Sequence, residues 1–555
     1  MMRNGQDGAC RRRGFPDLRQ VVCRTNPSKS MSKLFFWAIT CALAGFIFGF
    51  DLMVISGAEQ AIQKVWDLTP GQQGWAISSA IWGTVIGSLL GGISANRFGR
   101  KKTLMSIGML YFVSALASAY ATSLPMFMAA RLIGGIGVGV ATVAAPIFIA
   151  EISPARNRGL LTGLFQFNIV FGLLAATISN YIIRANIDEE AWRWMLGVEA
   201  VPALIYSFMC FTLPESPRWL INNGRREEGK ALLAQINPEQ GADEIEAKVV
   251  EIEEAAEKEM SGGSIAWRRL RLPIMLAFLV AFFNQLSGIN AILSFAPRIF
   301  GMTGIDTSAS LLNSSMITLV NLVCTLIGLW LIDRIGRRTL LYIGSFGYII
   351  SLGICAWAFS HFRVPFEVAA ASLDFRANSE LIEESGLSPV KQAKVAEDFV
   401  SSRERLIEVS KNEAFSGDAV VIPEGIGSDE RVAIAEGALE AATAQAGSGS
   451  TIVLICILGF IAAHALGQGT VIWVLISEIF PNRARAFGQS LGGATHWVFA
   501  ALLTLVFPLA LASFSATTLF GFFCFMMVLH LLWVQFMVPE TKGTSLEDLE
   551  DQMMR

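Results

Sequence analysis

Asn96-Arg97-Phe98-Gly99-Arg100-Lys101 recurs 237 positions later as Asp333-Arg334-Ile335-Gly336-Arg337-Arg338, and each copy separates two long apolar runs. A second pair, Glu151-Ile152-Ser153-Pro154 and Glu478-Ile479-Phe480-Pro481, lies 327 positions apart. The two offsets differ by 90, close to the 89 residues of the polar segment 361–449. The chain therefore reads as a duplicated unit with one insertion in its second copy.

Working outward from the turns, apolar runs fall near 34–57, 73–95, 103–121, 125–150, 160–183 and 193–213, then near 272–300, 310–332, 338–360, 451–476, 485–511 and 515–538. About 20 residues at 1.5 Å each cross ~30 Å of hydrocarbon. The expectation is an all-α membrane protein with twelve transmembrane helices in two six-helix halves. Its parts are a tail (1–33), an N-terminal bundle (34–213), cytoplasmic linker helices (214–271), a C-terminal bundle (272–538) carrying the insertion 361–449, and a tail (539–555). A charged fraction of 16%, against about 25% in soluble domains, excludes an ordinary soluble enzyme. The first run is too long for a signal-peptide core and reads as an anchor. Met31-Ser32-Lys33 resembles a translation start, so 1–33 is either a cytoplasmic tail or a start-site artefact.

Cationic loops resist translocation and set the topology. Arg97, Arg100, Lys101 and Lys102 follow the second run, Arg156 and Arg158 the fourth, Arg334, Arg337 and Arg338 the eighth, and Arg483 and Arg485 the tenth. The alternate short loops hold isolated residues such as Lys64 and Arg184. Both termini and the linker are thus expected in the cytoplasm, and the insertion outside. The insertion carries 16 acidic and 8 basic residues. Ser388-Pro389 and Ser428 read as helix starts within it, and Gly447-Ser448-Gly449-Ser450 as a flexible joint. The cysteines have no metal or disulfide spacing, and no cofactor motif is present. Gly135-Ile136-Gly137-Val138-Gly139 and Gly83, Gly87 and Gly91 read as helix-packing faces.

Asp51 stands inside the apolar run 46–55, where an unpaired charge costs at least ~2.5 kcal/mol. Arg131 and Glu199 lie in neighbouring runs of the same half. Two readings follow: a carboxylate that binds and releases a proton as its partner comes and goes, or a static pair that fixes helix packing.

The Arg-x-Gly-Arg turns, the segment Glu151 through Arg158-Gly159, Pro214-Glu215-Ser216-Pro217-Arg218-Trp219-Leu220, Gln285-Leu286-Ser287-Gly288-Ile289-Asn290 and Pro539-Glu540-Thr541-Lys542-Gly543 together resemble the sugar porter family of the major facilitator superfamily. The resemblance covers roughly 34–360 and 450–545. The chain resembles bacterial proton-coupled pentose and hexose symporters of this family, and the resemblance implies that Asp51, with Arg131 and Glu199, couples proton to sugar.

Amides donate and accept toward hydroxyl groups, and aromatic faces pack on a sugar ring. The resemblance carries Gln166, Asn284, Gln285, Asn290 and Asn321, with Trp473, Trp497 and Phe48, to substrate-contacting positions. Gln285 and Asn290 are five apart, so they share a cavity only if the seventh span breaks near Gly288. The plainer reading of each amide is an interhelical hydrogen bond. Asn284 replaces a usual Gln, Ser294-Phe295 a frequent Tyr pair, and His496 a common amide, so the preferred sugar stays open. Arg97, Arg100, Arg158, Arg334, Arg337 and Arg485 with Glu151, Glu215 and Glu478 are expected to form a cytoplasmic gate where the inner ends of the halves meet. Asn96, in place of the usual Asp, should weaken the N-terminal latch.

The expected function is import of a monosaccharide by proton symport, in a monomer in the bacterial inner membrane, with sugar, proton and lipid as partners and no nucleic acid. Facilitated diffusion on the same fold is the alternative. A non-transporting sugar sensor, usually marked by a long signalling tail, is a third. No nucleophile or metal cluster supports an enzyme.

Overall fold

The computed structural model describes residues 27–154, 158–187, 190–260, 270–383, 389–481 and 484–542, and among these every regular element is a helix. The N-terminal part contains α1 (Pro27–Val65), α2 (Pro70–Phe98), α3 (Arg100–Ala119), α4 (Leu124–Ile152), α5 (Arg158–Asn186), α6 (Ala191–Gly197) and α7 (Ala200–Cys210). The linker forms α8 (Pro217–Asn222), α9 (Arg226–Ile236) and α10 (Ala242–Met260). Then follow α11 (Arg271–Leu286), α12 (Ile289–Ser294), α13 (Ala296–Gly301), α14 (Thr307–Ile335) and α15 (Arg337–His361). The insertion holds α16 (Arg363–Leu381), α17 (Pro389–Ser410) and α18 (Ser428–Ala446), and the chain continues with α19 (Gly449–Leu466), α20 (Gln468–Glu478), α21 (Arg485–Ser513) and α22 (Ala516–Met537).

Polar caps define several helix starts by satisfying backbone N–H groups that have no partner inside the helix. Thr69 accepts from Gln72 while Gln72 returns a bond to the Thr69 N–H at 3.0 Å, with Pro70 opening the helix. Asp306 caps α14 through the Ala309 N–H (3.0 Å), and Ser515 caps α22 through that of Thr518 (3.2 Å). A single glycine joins α2 to α3 and another joins α14 to α15. Gly99 and Gly336 have φ of 91° and 94°, a conformation open to glycine, so the sequence repeat is also a backbone repeat.

Among the described residues, eleven stretches are long and apolar enough to cross a membrane. The sixth expected run is helical but divided. Pro202 has no N–H to bond back to Val198, and Val201 closes a tighter turn on the Val198 carbonyl at 3.1 Å. Glu199 sits at that interruption. In the seventh run, Gly288 (φ 87°) separates α11 from α12, and a side chain there would strike the Phe523 ring. The glycine-rich faces are packing surfaces: a Cβ on Gly83 would meet the Leu132 carbonyl, and one on Gly135 that of Ala80.

The halves meet where α2 packs on α21 and α5 on α14. Gly74 abuts the Leu505 backbone, and the hydroxyls of Thr177 and Thr318 are 2.8 Å apart. Both contacts lie toward the end of the bundle opposite the Arg-x-Gly-Arg turns.

The insertion has a core of its own, built on Val368, Phe375, Leu406, Phe415, Ile422, Ala438 and Ala442. It differs from the sequence expectation in three ways. α16 was not foreseen, because its apolar positions follow on directly from those of the preceding span. Ser428 is the first helical residue, and its hydroxyl donates to the Ser379 carbonyl instead of capping its own helix. Only Gly447 and Ser448 separate α18 from α19, a tight turn in place of a flexible joint. Ser388 and the tails 1–26 and 543–555 fall outside the described residues.

Candidate transport site

The Asp51–Arg131 pair is closed. Arg131 Nη1 meets Asp51 Oδ1 at 2.5 Å, and Nη2 donates to the Asp51 carbonyl at 3.2 Å. Both side chains are buried, as is Glu199, whose carboxyl turns toward Asp51 while its Oε1 has no hydrogen-bond partner among the described residues. One guanidinium thus serves two carboxyls. A narrow crevice with room for about one water touches Asp51 and Arg131 and is lined by Phe48, Ile77, Thr84 and, from the other half, Ser294.

Beside it the break at Gly288 brings Asn290 back over Gln285. Asn290 Nδ2 donates to Gln285 Oε1 at 2.7 Å, Gln285 Nε2 donates to Asn284 Oδ1 at 3.0 Å, and His496 approaches Gln285 at 3.2 Å. Trp473 packs on His496 with ring centroids 5.2 Å apart, and Trp497 meets Phe48 of the other half edge-on at 5.7 Å. In this closed arrangement the amides satisfy one another. Gln166, half-buried on α5, makes no hydrogen bond among the described residues. Asn321 accepts only from Thr325, on its own helix, at 3.4 Å. These two therefore stand apart from the amide cluster.

The charged turns, expected to form a gate where the inner ends of the halves meet, pair within each half in this structure. Arg100 makes a two-pronged bond to Glu151 (3.0 and 2.9 Å), while Glu215 accepts the backbone N–H groups of Arg100 (2.7 Å) and Lys101 (3.2 Å). Arg337 pairs likewise with Glu478 (3.2 and 2.7 Å), and Glu540 accepts from the N–H groups of Arg337 (3.0 Å) and Arg338 (3.1 Å). Each cluster closes within its own half and none crosses, because the acid and the arginine of each copy end adjacent helices of one bundle. Arg97 and Arg334 are exposed and stack on Phe98 and Trp330. Arg485 is half-buried, with its Nε unpartnered among the described residues. The Arg158 side chain lies outside the described residues. Asp333 adds a bond to Arg337 at 3.0 Å, whereas Asn96 offers Arg100 none and uses its carbonyl to accept from Trp219.

A buried ion pair that no sequence motif marks crosses the halves. Glu59, fully buried on α1, is gripped by Arg298 of α13 at 3.1 and 2.8 Å and by Gln73 at 2.5 Å. Arg298 also donates to Gln63 at 2.6 Å. This cluster lies at the end away from the charged turns. The available signal is a lone acid eight residues beyond Asp51, just past the end of the first apolar run. Glu540 also had one, since Pro539-Glu540-Thr541 repeats Pro214-Glu215-Ser216.

A duplicated helical bundle, a buried carboxyl–guanidinium cluster and an amide-aromatic cluster beside it define a membrane carrier for a polar solute. The chain belongs to the family described as Sugar (and other) transporter, whose pattern matches residues 37–367 and 432–553, and it is a multi-pass sugar porter of the major facilitator superfamily. It is 30% identical to the D-xylose transporter of Levilactobacillus brevis over 92% of this chain and 93% of that one. It is 29% identical to the arabinose-proton symporter of Bacillus subtilis (94% and 96%) and 28% identical to the D-xylose-proton symporter of Escherichia coli (95% and 96%). Among solved structures it resembles the partially occluded inward-open xylose transporter XylE from E. coli, with a TM-score of 0.67 and 25% identity over 91% of this chain and all of that one. The inward-open form of XylE gives 0.67 and 26%, over 94% and 99%.

Proposed function

We propose that this chain imports a monosaccharide together with a proton by alternating access. The observation that carries the reading is the buried Asp51–Arg131 pair with Glu199 against it. Two carboxyls beside one guanidinium leave one negative charge in an apolar interior, a charge that a proton can neutralise. The crevice at Asp51 also touches Ser294 of the other half, so proton and sugar groups report on the same relative position of the halves. The amide cluster, with Trp473, Trp497 and Phe48, recognises the sugar once the amides exchange one another for its hydroxyls, and Gln166 and Asn321 join it in the loaded state. The curated relatives named for xylose and arabinose make a pentose the first sugar to try.

In this reading α6 and α7, joined through the Pro202 kink, form a twelfth crossing. The bundles span 34–213 and 272–538, the termini and linker helices 214–271 face the cytoplasm, the insertion 361–449 lies outside, and a monomer in a bacterial inner membrane suffices for transport. The inner charge clusters hold each bundle rigid while the bundles rock.

Uptake of pentoses, hexoses and inositols into proteoliposomes, with and without a pH gradient, tests the proposal. Asp51→Asn should abolish accumulation and leave sugar exchange detectable; unchanged pH-driven accumulation in this variant would point to a uniporter with a static pair. Gln285→Ala or Asn290→Ala should weaken sugar binding by about 1–3 kcal/mol by calorimetry.

A further inference from the structure

We propose that protons travel between the Asp51–Glu199 pair and the inner face along a stripe of buried side chains on α3 and α7: Tyr111, Tyr206 and Cys210. The proposal rests on the proton-symport reading above.

Glu199, Tyr206 and Cys210 are spaced by seven and four residues, so they line one face of the sixth run from the kink toward its inner end. That face packs on α3. The two helices approach so closely that a Cβ on Gly108 would lie 2.9 Å from the Tyr206 ring. Tyr111, one turn further along α3, lies within reach of the charges of Asp51 and Glu199, and Tyr206 within reach of Tyr111 and Cys210. The groups that face Glu199 are Asp51 from α1, Arg131 from α4 and Tyr111 from α3. At the far end Lys101 Nζ, at the exposed rim, donates to the Phe211 carbonyl at 2.9 Å, one residue beyond Cys210.

Both tyrosines are fully buried, yet the Tyr111 hydroxyl has no hydrogen-bond partner among the described residues, the Tyr206 hydroxyl has only the weakly bonding Cys210 thiol beside it, and Glu199 Oε1 is likewise unpartnered. A buried hydroxyl left unpaired is costly, and such groups ordinarily find a protein or water partner. The fully buried Tyr348 of the other half does so, with its hydroxyl 2.7 Å from His464 Nδ1. The carboxyl oxygen and the two hydroxyls, in succession toward Cys210 and the rim, describe a path that interior water completes. The opposite exit is shut by Glu59–Arg298 and by the Thr177–Thr318 contact.

The chemistry requires no co-reactant beyond water. The carboxyl gives up its proton and becomes a carboxylate. Each hydroxyl accepts a proton on a lone pair and releases its own, the Cys210 thiol or an adjacent water does the same, and one proton emerges at the rim with every relay group unchanged in net charge.

The test uses the full-length chain in proteoliposomes, with a pH dye reporting sugar-driven proton movement and counterflow reporting sugar exchange without net proton transfer. Tyr206→Phe, Tyr111→Phe and the double variant keep the ring packing. The expected result is sugar-driven proton flux reduced at least tenfold in the double variant, with counterflow within twofold of the parent and thermal stability unchanged or raised. Proton flux equal to that of the parent in the double variant overturns the path. If the double variant inserts poorly, the single variants and Cys210→Ser decide by the same readouts. Asp51→Asn separates the two levels. If it leaves proton movement intact, the symport reading itself fails; if it stops proton movement while the tyrosine variants do not, only the path fails.

Discussion

Two kinds of ion pair tie this bundle together, and they do different work. Glu59–Arg298 joins the halves at one end and is sealed from water, with Glu59 fully buried. Arg100–Glu151 and Arg337–Glu478, at the other end, are partly wet and each stays within one half. A pair that spans the interface must break when that end opens. A pair inside one half can persist through the whole cycle and keep helix ends registered. The closed end of this structure is therefore held chiefly by the buried Glu59–Arg298 cluster, and the open end by no such pair among the described residues.

The comparison can be broken most severely at Arg298. Arg298→Ala leaves Glu59 buried without its cation, a loss of about 3–5 kcal/mol, or roughly two to four powers of ten in the population closed at that end. Spin labels on the loops 66–69 and 302–306 should report a longer distance in the resting protein; an unchanged distance would show that apolar packing alone holds this end. Arg100→Ala and Arg337→Ala should each cost about 1.5–3 kcal/mol, the range for hydrogen bonds to charged groups. Their effect should fall on the thermal midpoint in detergent, with the spin-label distance unaltered. A shifted distance would mean that these arginines act across the halves after all.

The division between what the sequence discloses and what it conceals follows the same line. Apolar runs, charged turns and the repeat are local signals, and they located eleven spans, the two tight glycine turns and the break at Gly288. Charge partners are not local. The acids Glu151, Glu215 and Glu478 adjoin the arginine turns within each half, and residue spacing alone does not say which helix ends adjoin. Glu59 belongs to no motif, and its partner is 239 positions away. The sixth span was visible as hydropathy, whereas its interruption at Val198 depends on the missing N–H of one proline. Gln166 and Asn321 lie in apolar runs as expected, yet the structure joins neither to the amide cluster.

Weaker contacts sharpen the comparison further. Lys394 of the insertion pairs with Asp67 of the N-terminal half, the second charge contact across the same end. It is exposed, with Asp67 78% accessible, so its value should be no more than about 1 kcal/mol. Lys394→Ala should alter the spin-label distance distribution less than fivefold in population. Replacing 362–449 by a Gly/Ser linker should preserve the fold and sugar uptake at matched membrane expression.

The smallest effect belongs to the linker. Lys230 and Arg226 beside Glu246 hold its carboxyl below the usual 4.5, and Arg225 does the same for Glu228. A carboxyl lowered in the folded state contributes stability that is complete above about pH 4.5 and is lost as the pH falls through the lowered value. Amide protection in α9 and α10 should therefore be constant from pH 8 to 5 and decline only in stronger acid.

The core of the insertion bears on how the protein is made. On the proposed topology, 89 residues without a cysteine must be threaded through the membrane during synthesis, after the ninth span and before the tenth. They reach an oxidising compartment with no thiol to pair, so disulfide-forming catalysts have nothing to act on. Folding there depends on Phe375, Leu406, Phe415 and their neighbours finding one another. The last three spans enter the bilayer behind this segment, which makes its collapse a step that assembly of the second half can wait upon.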